Sequence, residues 1–168
     1  MDDLYSPQIL SLAAAVPFLG PLDDADVVAT ATSRICGSRL RLWVRFGDGP
    51  RIAALGVELK ACALGQAAAA IVLPRLVGLD AAPIRTGREA FLRFLTEEGP
   101  PPPPPFEELA VLAPVRDWPA RHGAVMLPFE AALKAFAERK SAGSPARAEE
   151  PGQAKTAESR LPPSSRSA

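Results

Sequence analysis

A chain of 168 residues, 48% hydrophobic and 23% charged, carries enough apolar material for one core and is too short for a multidomain enzyme. Its 19 basic and 19 acidic side chains cancel, leaving no whole-chain field to attract nucleic acid or an anionic membrane. With two cysteines and one histidine, a zinc finger, a zinc ribbon or a four-cysteine cluster cannot be built within one chain.

The opening Met1-Asp2-Asp3 is acidic and no hydrophobic stretch follows it, the reverse of a secretory signal. Asp3 to Ala15 carries Leu4, Ile9, Leu12 and Ala13 at helical spacing and stops before Pro17, which predicts a first helix. Val27 to Thr32, rich in Val and Thr, reads as a strand. The clearest periodicity follows: Leu40, Leu42, Val44 and Phe46 alternate with Arg39, Arg41, Trp43 and Arg45, the period of two that a half-buried strand requires. Gly47-Asp48-Gly49-Pro50 is turn material, and Ala53, Leu55, Val57 and Leu59 alternate beyond it, so the two runs form a hairpin.

From there the chain reads as helix. Leu64 to Val77 is Ala-rich and stops at Gly78; its longest apolar run, Ala67 to Leu73, ends at Pro74 and is too short to cross a bilayer. Pro83 to Glu98 begins with proline, aligns Phe91, Phe94 and Leu95, and ends at Gly99, a start and stop that suit a helix. Pro100 to Pro105 cannot donate backbone hydrogen bonds and is expected to be an extended, solvated connector. A last helix is predicted from near Pro128, burying Phe129, Leu133 and Phe136 on one stripe. After Lys140 the only large aliphatic residue is Leu161, a composition that predicts a disordered tail over 141–168 and a folded domain over 1–140. The expected class is α+β: an N-terminal helix, a three-stranded antiparallel sheet, then several helices packed on one sheet face.

Three residues carry the accessible site chemistry. Cys36, in Ile35-Cys36-Gly37-Ser38, and Cys62, in Lys60-Ala61-Cys62-Ala63-Leu64, both fall at strand ends. If the hairpin forms, the two thiols face each other across one end of the sheet. Cys62 also opens a helix, whose partial positive charge favours a thiolate or a metal–sulfide centre. Free cysteine is equally at home as inert core packing. His122, in Arg121-His122-Gly123, is either a surface residue or a third ligand or base. Arg39, Arg41 and Arg45 form either a docking strip or a solvated strand face. No nucleophile elbow of the Gly-x-Ser-x-Gly kind and no phosphate-cradling glycine loop occurs, which leaves hydrolase and nucleotide chemistry without support.

Taken in order, Tyr5, Pro17-Phe18-Leu19-Gly20, Cys36-Gly37-Ser38, Ala61-Cys62-Ala63-Leu64 and Arg121-His122-Gly123-Ala124-Val125-Met126-Leu127 resemble the NifU-like (IscU/SufU-type) iron–sulfur cluster assembly scaffolds. The resemblance runs from about Asp3 to Lys140. It implies a non-enzymatic, cytoplasmic scaffold or carrier that receives sulfur from a cysteine desulfurase, holds a transient [2Fe–2S] cluster, iron or zinc, and passes it to apo iron–sulfur proteins. It places cluster ligands at Cys36 and Cys62. It also puts the third family cysteine at Ala124 and the family aspartate at Ser38, so the chain reads as a degenerate member. A complete site then needs His122, an exogenous thiol or a second subunit, as in a homodimer. Two other readings follow from the same residues: a protein-binding or regulatory partner that kept the fold without metal, and a Cys–His thiol enzyme, which requires His122 beside a cysteine.

Overall fold

The computed structural model describes residues 4–142. Its strands, β1 (Val27–Thr32), β2 (Arg39–Phe46) and β3 (Ile52–Lys60), form one antiparallel sheet in the order β1-β2-β3. The alternation in β2 decides which face is buried: Leu40, Leu42 and Val44 are fully enclosed, while Arg39, Arg41 and Arg45 are exposed. Outside, the Arg41 guanidinium lies 4.9 Å from the centre of the Trp43 ring, a cation–π pairing at the surface.

Around the buried face stand α1 (Pro7–Ala13), α2 (Ala63–Leu76), α3 (Ala81–Thr96) and α4 (Pro119–Ser141). The first helix is shorter than Asp3 to Ala15 because Ser6 caps it, accepting from the Ile9 N–H at 3.3 Å, with Pro7 just inside. That pairing of a capping hydroxyl and a first-turn proline is a strong start signal. Buried residues occur all around α2, from Leu64 and Ala67 to Ile71, Val72 and Leu76, so it is the central helix, packed by α1 and α4. Its alanines leave room for those neighbours to approach closely.

The chain departs from expectation after the proline run. Pro100–Pro105 lies outside any helix or strand, but Pro102 is buried, and Arg116 ties the connector down. Its guanidinium donates to the carbonyls of Phe94 at 2.7 Å and Gly99 at 3.1 Å and lies 4.0 Å over the Phe94 ring. Between connector and last helix the sequence pattern predicts nothing, yet Glu107–Asp117 forms a 3₁₀ helix that buries Leu109, Leu112 and Val115. The last helix starts at Pro119, not near Pro128. Pro119 supplies the first-turn proline, and Pro128 lies within the helix. There it cannot donate to the Ala124 carbonyl four residues back, and burial of Val125, Met126, Leu127 and Phe129 holds the segment helical. The helix ends one residue past Lys140; the tail expected over 141–168 lies, from 143 onward, outside the described residues.

Residues 18–26 cross the sheet on the face opposite the helices. At the outer edge of β3, the Val57 N–H donates to Phe18 O at 2.8 Å and the Gly20 N–H donates to Val57 O at 2.9 Å. The chain then passes directly over Gly56, where a Cβ would lie 2.5 Å from Gly20 O. Asp24 meets Arg45 at 3.2 Å, and Asp26 accepts from the Phe46 N–H at 2.8 Å, beside an irregularity in the β2–β3 register at Arg45 and Phe46. At the other edge, Lys134 of α4 donates to Thr30 O of β1 at 2.9 Å.

Candidate functional site

The register pairs Thr32 with Arg39 and Arg39 with Lys60. The β1–β2 loop and the end of β3 therefore lie at one end of the sheet, and each brings a cysteine there. The loop closes by two bonds, from the Ser33 N–H to Ser38 O and from the Gly37 N–H to Ser33 O, each 2.8 Å. Gly37 takes the left-handed conformation, φ +72°, that this reversal requires and that glycine adopts without strain. Cys36 is left with its Sγ 3.2 Å from both Ser33 Oγ and Ser38 Oγ. Cys62 occupies the N-cap of α2, whose first turn has no side-chain cap. Cys62 thus sits at the partially positive end of the helix.

Both cysteines are free thiols and line one open pocket of about 280 Å3, together with Gly37, Ser38, Lys60, Ala61 and Arg121. The charged groups in this lining are both cationic. Burial pushes the Cys36 thiol up, but hydrogen bonds from the Ser33 and Ser38 side chains, the Ser38 backbone and the Arg121 side chain outweigh it, and its pKa falls from 9.0 to about 7. The cause is a counting one: a thiol has one proton to donate, whereas a thiolate accepts from both hydroxyls at once. The two serines are themselves 6% and 5% exposed, so the receiving shell is held by packing.

The start of α4 forms one wall. A Cβ on Gly123 would lie 2.5 Å from Ser33 Oγ, and a Cβ on Gly65 would lie 3.2 Å from the Ala124 carbonyl. Helix α4 thus touches the Cys36 loop through Gly123 and the start of α2 through Ala124. Arg121 lines the pocket, and Ala124, fully buried, follows it three residues later on nearly the same face. His122 is turned about 100° from Arg121. Its Nε2 lies 2.9 Å from Val115 O of the 3₁₀ helix, and it is not among the pocket-lining residues.

The structure therefore brings Cys36 and Cys62 together and sets His122 outside their pocket. Among the described residues no group of three His, Cys, Asp or Glu side chains is placed to hold a metal ion. Two further pocket-lining residues, Lys60 and Arg121, were not legible as such: their signal was only adjacency to Cys62 and to His122. Ser33, the buried partner of Cys36, carried no signal beyond its hydroxyl.

No family model matches the chain. Over 123 residues, 70% of this chain and 82% of the relative, it is 27% identical to the iron–sulfur cluster assembly scaffold protein IscU of Thermotoga maritima. The crystal structure of the N-terminal part of a nitrogen-fixing NifU-like protein from Brucella abortus is 34% identical, superposes with a TM-score of 0.78, and covers 83% of this chain and 96% of its own. The same fold occurs in a scaffold protein described for the SUF system of Fervidobacterium islandicum, at 21% identity and a TM-score of 0.64, covering 79% of this chain and 96% of its own. With helix, three-stranded sheet and following helices in common with the Brucella protein, and 34% identity over most of both chains, this chain belongs to the NifU/IscU/SufU-like family of iron–sulfur cluster scaffolds.

Proposed function

We propose that the protein is a cytoplasmic, non-enzymatic scaffold or carrier for iron–sulfur cluster assembly, with Cys36 and Cys62 holding iron, a nascent [2Fe–2S] cluster or zinc as cargo. Sulfur would come from a cysteine desulfurase and the cargo would go to apo iron–sulfur proteins. The observation that carries this reading is the shared pocket of the two thiols. The donor set fits the cargo in part: thiolates are the preferred ligands of iron–sulfide centres, and two of four positions are available. Incomplete ligation suits a carrier, which must release what it holds. His122 holds Val115 O through Nε2 and is not among the pocket-lining residues, so it joins the ligands only if its segment shifts, and a second subunit or a small thiol is the other source.

One observation favours a second reading, a protein-binding partner without metal: the lack, among the described residues, of a third ligand beside the two cysteines. Anaerobic reconstitution followed by metal and sulfide analysis separates the two. For the scaffold reading, wild type binds metal and Cys36→Ser and Cys62→Ser lose it. His122→Ala reports whether the imidazole takes part. Wild type that binds nothing, with binding restored by Ala124→Cys, establishes the metal-free partner instead.

A further inference from the structure

We propose that the pocket between Cys36 and Cys62 admits a small thiol carrying free carboxylates, whose sulfur joins the two cysteines in the ligand shell of the cargo while Arg121 and Lys60 hold its carboxylates. This deepens the scaffold reading and rests on it. Three observations converge. The chain supplies two free cysteine thiols and, among the described residues, no third His, Cys, Asp or Glu placed to join them on a metal ion. The pocket is open and, at about 280 Å3, near the lower end of the size range of small-molecule sites. Its charged lining is Lys60 and Arg121, with no carboxylate.

Charge decides the kind of thiol. A zinc ion with two protein thiolates is neutral, and each added thiolate gives the centre one net negative charge, which the cations lining the pocket offset. An uncharged thiol can supply sulfur but leaves Arg121 and Lys60 with nothing further to bind. A carboxylate-bearing thiol engages them as well, and arginine pairs with carboxylate in a planar, two-bond geometry. A second copy of this chain is disfavoured as the source, because each copy would bring its own Lys60 and Arg121 to the same contact. Each entering thiol coordinates as thiolate and releases its proton to solvent. No electron is transferred.

Native mass spectrometry of the full chain with zinc alone, with zinc and glutathione, and with zinc and glutathione diethyl ester tests the idea, since protein, metal and thiol are counted in one species. The expected result is a monomer carrying zinc and glutathione, half-saturated at a glutathione concentration about tenfold below that needed for the ester. Arg121→Gln and Lys60→Gln should each remove most of that preference while still binding zinc. Equal half-saturation by glutathione and its ester, or a preference unchanged in both variants, overturns the inference and leaves the scaffold reading standing. A zinc-bridged dimer without added thiol also overturns it, in favour of the second copy. Wild type that takes up zinc under none of the three conditions, with Cys36→Ser and Cys62→Ser no different from it, fails the scaffold reading itself and the inference with it.

Discussion

Gly123→Ala tests whether α4 tunes the thiol across the pocket wall. The added methyl would lie 2.5 Å from Ser33 Oγ and 3.1 Å from Ser33 Cβ, so the Ser33 hydroxyl must swing away from Cys36. A hydrogen bond to a charged group is worth about 1.5–3 kcal/mol, and 1.36 kcal/mol corresponds to one pKa unit. At the low end of that range, loss of this donor should raise the Cys36 pKa from about 7 to about 8. At neutral pH the thiolate fraction then falls about fivefold. The sign is fixed: the depressed pKa reflects bonds made to the thiolate, so fewer bonds move it up. Alanine gains about 1 kcal/mol over glycine in a helix and crowding costs about 1–3 kcal/mol, so the net loss of global stability should be about 0–2 kcal/mol. The assay is the pH dependence of Cys36 alkylation by iodoacetamide, read from the modified peptide by mass spectrometry. Ser33→Ala removes the same donor without crowding and should give the same shift. A midpoint that stays near 7 in both variants refutes the account. A shift in Gly123→Ala alone shows that crowding, and not the hydroxyl, is responsible.

Gly87→Ala should lower the melting temperature in a calorimetric scan, because its Cβ would lie 2.6 Å from Phe106 Cε2 and that ring is packed edge-on to Phe129 at 5.0 Å, a crowding cost of about 1–3 kcal/mol against a helix gain of about 1 kcal/mol. Arg116→Ala should cost about 2 kcal/mol in urea denaturation, since two carbonyls and the Phe94 ring lose their partner together; an unchanged midpoint would mean that the proline connector is held by packing alone. A chain ending at Ala142 should keep its melting temperature, as the sequence beyond it holds a single large aliphatic residue, Leu161; a drop would move the domain boundary.

The strands were legible almost residue for residue, because alternation in Arg39–Phe46 is read directly by a sheet with one buried face. The helices were legible in kind and less so at their ends. Pro128 looked like a start because a proline there is common at a first turn, but burial of its neighbours on every side outweighs the one hydrogen bond it removes. The 3₁₀ helix at Glu107–Asp117 has apolar residues without a clean period, so no local pattern announces it. At the site, the two cysteines were legible from their positions at strand ends. Arg121 was not, since only the phase of α4 distinguishes it from His122, and that phase is set by where the helix begins.

The crossing of residues 18–26 has a consequence for the protein at high concentration. A small sheet ordinarily offers two unpaired edges, each a template on which another chain can add a strand. Here the backbone groups of Val57 are engaged by Phe18 and Gly20, and on the far side Lys134 occupies the Thr30 carbonyl while α4 lies along β1. Both margins of the sheet are thus blocked at their centres by the chain itself. The sheet is thereby protected against growth by strand addition at either margin.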